Sequence, residues 1–171
     1  MWWSSARLVF AVVLATALAG CGFQLRGKAD LPFETLYIES ANPVLVADLQ
    51  RAVASGSRAR AVTRPGDAQA VLRITGESRE KRILSLSGAG RVREYLLVYR
   101  LAFRVTDRQN RPMLAEQQIE LRRDMTYDDA LVLAKASEEE MLYRDMQSDV
   151  IFQILRRLDA ARPAPPPEAE D

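Results

Sequence analysis

The chain predicts an α+β domain in which two helices cover one face of a four-stranded mixed sheet, in the order β-α-β-β-β-α. Three observations predict it. Tyr95, Leu97, Tyr99, Leu101, Phe103 and Val105 place an apolar side chain on every second residue, with Arg100 and Arg104 on the opposite face. That is the period of a strand with one face on a core and the other mixed. Leu142, Met146, Val150, Ile154 and Leu158 recur every fourth residue, flanked by Ile151 and Leu155, as on one side of a long helix. Leu45, Leu49, Ala52 and Val53 make a second, shorter helical stripe.

Each element has its own signals. Thr35 to Glu39 reads as a short strand, with Leu36 and Ile38 on one face. Asn42-Pro43 starts the first helix, because Asn caps a helix well and Pro suits its first turn. Ser55-Gly56 ends it. Ala70 to about Leu86 is a long strand whose even positions carry Leu72, Ile74, Leu84 and Leu86, with Gly76 marking a bulge or a close approach. Ser87 to Gly90 is a hairpin turn into the strand Tyr95 to Val105. Asp107 to Arg111 turns again, and Met113 to Asp124 returns as a strand with Ala115, Ile119 and Leu121 inward. The closing helix runs from about Asp129 to Leu158, with acids at Asp128, Asp129 and Glu138 to Glu140 in its first half and Arg156-Arg157 in its last turn, as the helix dipole prefers.

The start of the chain has another character. Arg7 precedes an almost unbroken apolar stretch, Leu8 to Leu18, and Leu18-Ala19-Gly20-Cys21 follows. A basic start, a short apolar centre and small residues at the cut describe a secretory signal over residues 1–20. The stretch is shorter than the roughly 20 residues a membrane span needs. Leu-Ala-Gly-Cys resembles a bacterial lipobox. That resemblance implies cleavage before Cys21, a diacylglycerol thioether on its sulfur and an acylated amino group, more lipid than stable anchoring requires. Gly22, where lipoproteins kept at the inner membrane usually carry Asp, implies transfer to the outer membrane.

Residues 21–159 then form one domain, and 160–171, with four prolines among small and acidic residues, form a disordered tail. Losing residues 1–20 removes one basic group, Arg7, and leaves 23 basic and 23 acidic side chains. Their distribution is uneven. Arg73 to Arg123 holds 12 basic against 6 acidic residues, and Asp124 to Asp159 holds 4 against 9. Either the basic segment faces an anion, such as a lipid head group or lipopolysaccharide phosphate, or the two segments neutralise each other in the fold.

The residue inventory excludes familiar catalysis. The sequence has no histidine and a single cysteine, which the lipobox uses. There is no Ser-His-Asp set, no Cys/His zinc spacing and no Walker motif, so neither cofactor nor metal is expected beyond the covalent lipid on Cys21. Asp128-Asp129 and Glu138 to Glu140 read as helix and solvent acids rather than a hydrolytic pair. Basic strands without interleaved aromatics give no nucleic-acid surface. The candidate binding residues are therefore basic: Lys81-Arg82, Arg91 and Arg93 around the first hairpin turn, and Lys135 in the last helix.

Cys21-Gly22-Phe23-Gln24-Leu25-Arg26-Gly27, Glu94-Tyr95 at the long strand and Leu133-Ala134-Lys135 at the last helix resemble the lipopolysaccharide-assembly lipoprotein family LptE. The order of elements is similar too, over essentially all of residues 21–159. The resemblance implies a partner, the large outer-membrane β-barrel (LptD-like) of the lipopolysaccharide translocon, whose lumen the lipoprotein plugs. It implies help in assembling that barrel, binding of lipopolysaccharide, and its placement in the outer leaflet. Lys135 corresponds to the family's functional lysine. The family's functional arginine falls at Gly88 here, a few residues before Arg91 and Arg93, and Arg91 is the expected substitute. The residues alone leave open a free-standing outer-membrane lipoprotein that binds an anionic envelope ligand.

Overall fold

The computed structural model describes residues 30–161. The signal peptide expected over residues 1–20, the lipidation expected at Cys21 and the tail expected after Ala161 lie outside the described residues. The elements are β1 (Thr35–Glu39), α1 (Pro43–Gly56), β2 (Arg60–Val62), β3 (Ala70–Leu86), β4 (Val92–Asp107), β5 (Pro112–Thr126) and α2 (Val132–Asp159). They form a five-stranded mixed sheet of order β2-β1-β3-β4-β5. β1 runs parallel to β2 and β3, while β3, β4 and β5 form an antiparallel meander. The α+β class and both helices stand as the sequence predicts.

The fifth strand, β2, is the correction to the predicted four. Three residues are too few to show alternation, and β2 exists because β1 offers it a ladder: Leu36 pairs with Ala61. Asn42 caps α1, its Oδ1 accepting from the backbone N–H of Val44 and Leu45 at 3.1 and 3.2 Å. Leu45, Leu49 and Val53 of α1 are fully buried, as are Leu97, Tyr99, Leu101, Phe103 and Val105 of β4. Val150, Ile154 and Leu158 of α2 close the same core. At about 25 cal/mol per Å² of apolar surface, each such side chain contributes about 1.5–3 kcal/mol.

Two bulges overturn the predicted inward faces. Between Ile74 and Gly76 the β3–β4 register slips, and two further slips fall between Ile83 and Leu86. Side chains alternate faces strictly, so one extra residue moves every later one across the sheet. Leu72, before the first slip, sits in the core, whereas Leu84, the extra residue at the second, and Leu86, beside the turn, are 47% and 55% exposed. The positions that turn toward the core face beyond the bulge are Glu77, Arg79 and Lys81, which reach Tyr99, Gln147 and Glu139. In β5, Leu114 pairs with Val105 but Gln117 with Phe103, so Ala115 and Glu116 together oppose Arg104. Ala115 is consequently exposed and Met113 is buried instead, with Ile119 buried as predicted and Leu121 partly so.

Charge bridges the helix–sheet interface where apolar residues give out. Arg79 lies over the Tyr99 and Tyr143 rings, 5.7 and 5.3 Å from their centroids, and donates to Gln147 Oε1 at 3.0 Å. The Tyr99 hydroxyl, fully buried, donates to Glu77 Oε1 at 2.7 Å. Burial and then the Glu77 carboxylate hold this phenol's pKa above its ordinary value, so it remains a donor.

Candidate functional site

The β3–β4 hairpin carries the predicted site to one end of the molecule. Seventeen residues of β3 at about 3.3 Å each span about 50 Å. The described chain enters at the other end, where Glu34 and Thr35 bond to Gln69 just before β3. The turn closes with Ser87 N–H donating to Arg91 O at 2.7 Å and Gly90 at φ 75°, a left-handed conformation that glycine adopts freely. Gly88 has ordinary φ and open space where a side chain would begin.

Arg91, Arg93 and the end of β5 line one cleft of about 570 Å³, together with Ser85, Thr126, Tyr127 and Asp128. Among the described residues, neither the Arg91 nor the Arg93 guanidinium is bonded to a carboxylate. Most other cations of the sheet are. Arg73 meets Glu39, Lys81 meets Glu139, Arg100 meets Glu80 and Glu120, and Arg123 meets Asp149. The basic and acidic segments of the sequence thus largely neutralise each other, while Arg91 and Arg93 stay unbonded in a cleft that Glu94, Asp128 and Asp129 also line.

Lys135 reaches the same end in a different state. Its side chain is only 14% exposed and donates to Thr126 Oγ1 at 3.1 Å and Glu138 Oε2 at 2.8 Å. It joins the first turns of α2 to the end of β5, whose Thr126 lines the arginine cleft. Lys81 lies behind it, with Nζ 4.3 Å from the Tyr95 ring centroid and 2.5 Å from Glu139 Oε2. Arg82 faces the other side of the sheet and pairs with Glu80. Glu138, Glu139 and Glu140 each answer a specific cation (Lys135, Lys81 and Arg79) rather than the helix end, which has no acid in its first turn. Asp128 accepts from Ala130 N–H at 2.9 Å and caps the short turn before α2.

The sequence pattern missed the apolar part of this end. Ile83, Leu84 and Leu86 on the hairpin and Leu131, Val132 and Leu133 at the start of α2 are all at least 47% exposed, Leu133 reaching 86%. Large apolar side chains beside free arginines suit a ligand that is itself amphipathic. The signal for it was the run Leu131-Val132-Leu133, which belongs to no buried stripe of α2.

Fold and site together define an α+β domain whose tip carries two arginines free of carboxylate bonds on a hairpin with exposed apolar side chains. The model of the family "LptE: Lipopolysaccharide-assembly" matches residues 33–158. The LPS-assembly lipoprotein LptE of Yersinia pestis (strain Pestoides F) is 31% identical over 152 residues, covering 85% of this chain and 70% of that protein. The solution structure of an uncharacterized lipoprotein B from Nitrosomonas europaea is similar at 48% identity and a TM-score of 0.71, covering 81% of this chain and 91% of that one. The rare lipoprotein B of Shewanella oneidensis follows at 28% identity and a TM-score of 0.64, covering 74% and 94%. The chain belongs to the LptE family, lipoproteins of lipopolysaccharide assembly.

Proposed function

We propose that this protein is a non-catalytic lipoprotein of the outer membrane, anchored by lipid on Cys21, that plugs the translocon barrel and hands lipopolysaccharide to the outer leaflet. The observation that carries the reading is the placement of Arg91 and Arg93, bonded to no carboxylate among the described residues, about 50 Å from where the described chain begins. A bilayer with its head groups is about 40–45 Å thick. A body anchored at the periplasmic leaflet and held in a barrel lumen can therefore present Arg91 and Arg93 near the opposite leaflet. Guanidinium groups bind phosphate strongly and bidentately. Free guanidiniums on the same hairpin as exposed Leu84 and Leu86 suit both the phosphates and the acyl chains of lipopolysaccharide.

The rest of the surface supports the plug. On the helix-free face of the sheet, Glu80, Arg82, Arg100, Glu120 and Arg122 form a continuous charged network over the buried Val98. Such a face suits a polar, water-filled lumen. Helping the barrel fold is the same contact acting earlier, since whatever binds only the folded barrel stabilises it.

The test is lipopolysaccharide binding by Arg91→Asp/Arg93→Asp, with Lys135→Asp made separately. The paired tip variant is expected to lose at least tenfold in affinity with an unchanged circular dichroism spectrum. Unchanged affinity removes the tip from the site.

A further inference from the structure

We infer that Lys135 is a positioning residue of the tip. It ties the first turn of α2 to the end of β5, and so holds Leu131, Val132 and Leu133 beside the arginine cleft. There these three take the acyl chains of a ligand whose phosphates Arg91 and Arg93 bind. The inference deepens the proposed binding of lipopolysaccharide and rests on it.

The geometry gives Lys135 this task rather than a phosphate. An ammonium has three N–H donors. Lys135 directs one to Thr126 Oγ1 at 3.1 Å and another to Glu138 Oε2 at 2.8 Å, with its side chain only 14% exposed. A phosphate approaching this nitrogen would meet the carboxylate already bonded to it, a like charge. Glu138 lies three residues on in the same helix, so its bond orients the lysine without crossing to the sheet. Thr126 belongs to β5, and that bond does cross.

The start of α2 depends on the crossing bond. Leu131 at its N-cap makes no side-chain hydrogen bond, and the first turn holds no acid. Its first backbone N–H groups therefore gain nothing from a cap or from a charge at the helix end. The β5 end of this stretch is fixed by the Tyr127 N–H, which donates to Arg93 O at 2.7 Å. Beyond it Asp128 accepts from Ala130 within its own short turn. Among the described residues, no hydrogen bond from residues 128–134 reaches the sheet. Lys135 is the first tie after that gap, and Lys81 to Glu139 follows one turn further on.

What the tie holds is continuous with the cleft. Residues 126–130 line one side of it, and the chain passes from Ala130 directly into Leu131, Val132 and Leu133, all exposed. Three consecutive exposed apolar residues leave water only against an apolar partner. With Arg91 and Arg93 in the adjoining cleft, the partner that fits both parts carries phosphate next to hydrocarbon.

The experiment measures lipopolysaccharide binding by the whole chain in mild detergent. The variants are Lys135→Ala, Thr126→Val, the two combined, and Leu133→Ser, beside the paired Arg91→Asp/Arg93→Asp. Thr126→Val removes a hydroxyl and no charge. Lys135→Ala and Thr126→Val are each expected to bind about threefold or more weakly. Their combination should be no weaker than Lys135→Ala alone, because both act through one bond. In these variants the Ala136 and Ser137 amides, the first bonded within α2, should exchange with deuterium faster, while β4 amides keep wild-type rates. Leu133→Ser should lose affinity with unchanged exchange. Toward lipopolysaccharide stripped of its acyl chains, none of these four should be weaker than wild type. A Thr126→Val that binds as wild type, additive losses, unchanged exchange, a Leu133→Ser of full affinity, or a Lys135→Ala weakened toward the deacylated form each overturns the inference. Full affinity in Arg91→Asp/Arg93→Asp overturns instead the reading of the tip beneath it.

Discussion

Tyr99→Phe removes one hydroxyl from the middle of the molecule and nothing else. The ring fits as before, and Arg79 keeps its place 5.7 Å from the centroid. What is lost is the donation to Glu77 Oε1 at 2.7 Å. A hydrogen bond to a charged group contributes about 1.5–3 kcal/mol net. Glu77 retains Asn42 Nδ2, at 3.2 and 3.1 Å from its two oxygens, so the loss falls at the low end, about 1.5–2 kcal/mol. For a domain of this size that lowers Tm by about 5–8 °C. Urea denaturation followed by circular dichroism measures it, with an unchanged m-value. Glu77→Gln completes a double-mutant cycle, and a coupling of about 1 kcal/mol or more is expected because the two groups touch. A variant within about 0.5 kcal/mol of wild type, or strict additivity with Glu77→Gln, would refute the claim that this buried contact ties β3 to β4.

Other consequences follow from the same structure. Phe103→Asp should abolish the native circular dichroism signal, since an unpaired carboxylate at a fully buried position costs several kcal/mol; a folded variant contradicts the core assignment. Glu80 is held below its ordinary 4.5 chiefly by the Arg82 hydrogen bond, and Glu120 by those of Arg100 and then Arg122. Lowered folded-state values contribute stability above the ordinary value that is lost as pH falls through the folded values. Stability should therefore fall on acidification below about pH 4.5, and more shallowly in Glu80→Gln/Glu120→Gln; parallel acid profiles would exclude the network as the cause. Gly88→Arg fits the open turn and should raise lipopolysaccharide affinity in a salt-sensitive way; a salt-independent or absent gain argues against recognition by charge at the tip.

The parts of the fold that the sequence revealed are those with a long, uninterrupted period. β4 and α2 keep one face inward over their length, and their core residues are legible one by one. β3 is not, because the bulge at Gly76 turns Glu77, Arg79 and Lys81 toward the helices, and two further slips between Ile83 and Leu86 break the period where Leu84 and Leu86 are exposed. Gly76 marked the place but not the consequence, which depends on the β4 register. β2 was invisible because its partner, β1, makes it a strand. In the candidate site, the tip position of Arg91 and Arg93 followed from the hairpin turn. That they escape the carboxylates while Lys135 is enclosed by Thr126 and Glu138 could not be read from composition. Ion pairing between residues as distant in sequence as Lys81 and Glu139 is set by packing.

The central claim, that this LptE-family chain works inside a lipopolysaccharide translocon, meets its most direct test in what the intact protein holds. A C-terminal tag, extraction of outer membranes in mild detergent and mass spectrometry of the purified material suffice. The account predicts a stoichiometric large β-barrel with lipopolysaccharide. A lipoprotein recovered without a barrel, under conditions that keep other barrel complexes whole, would contradict it and favour a free-standing binder of an anionic envelope ligand.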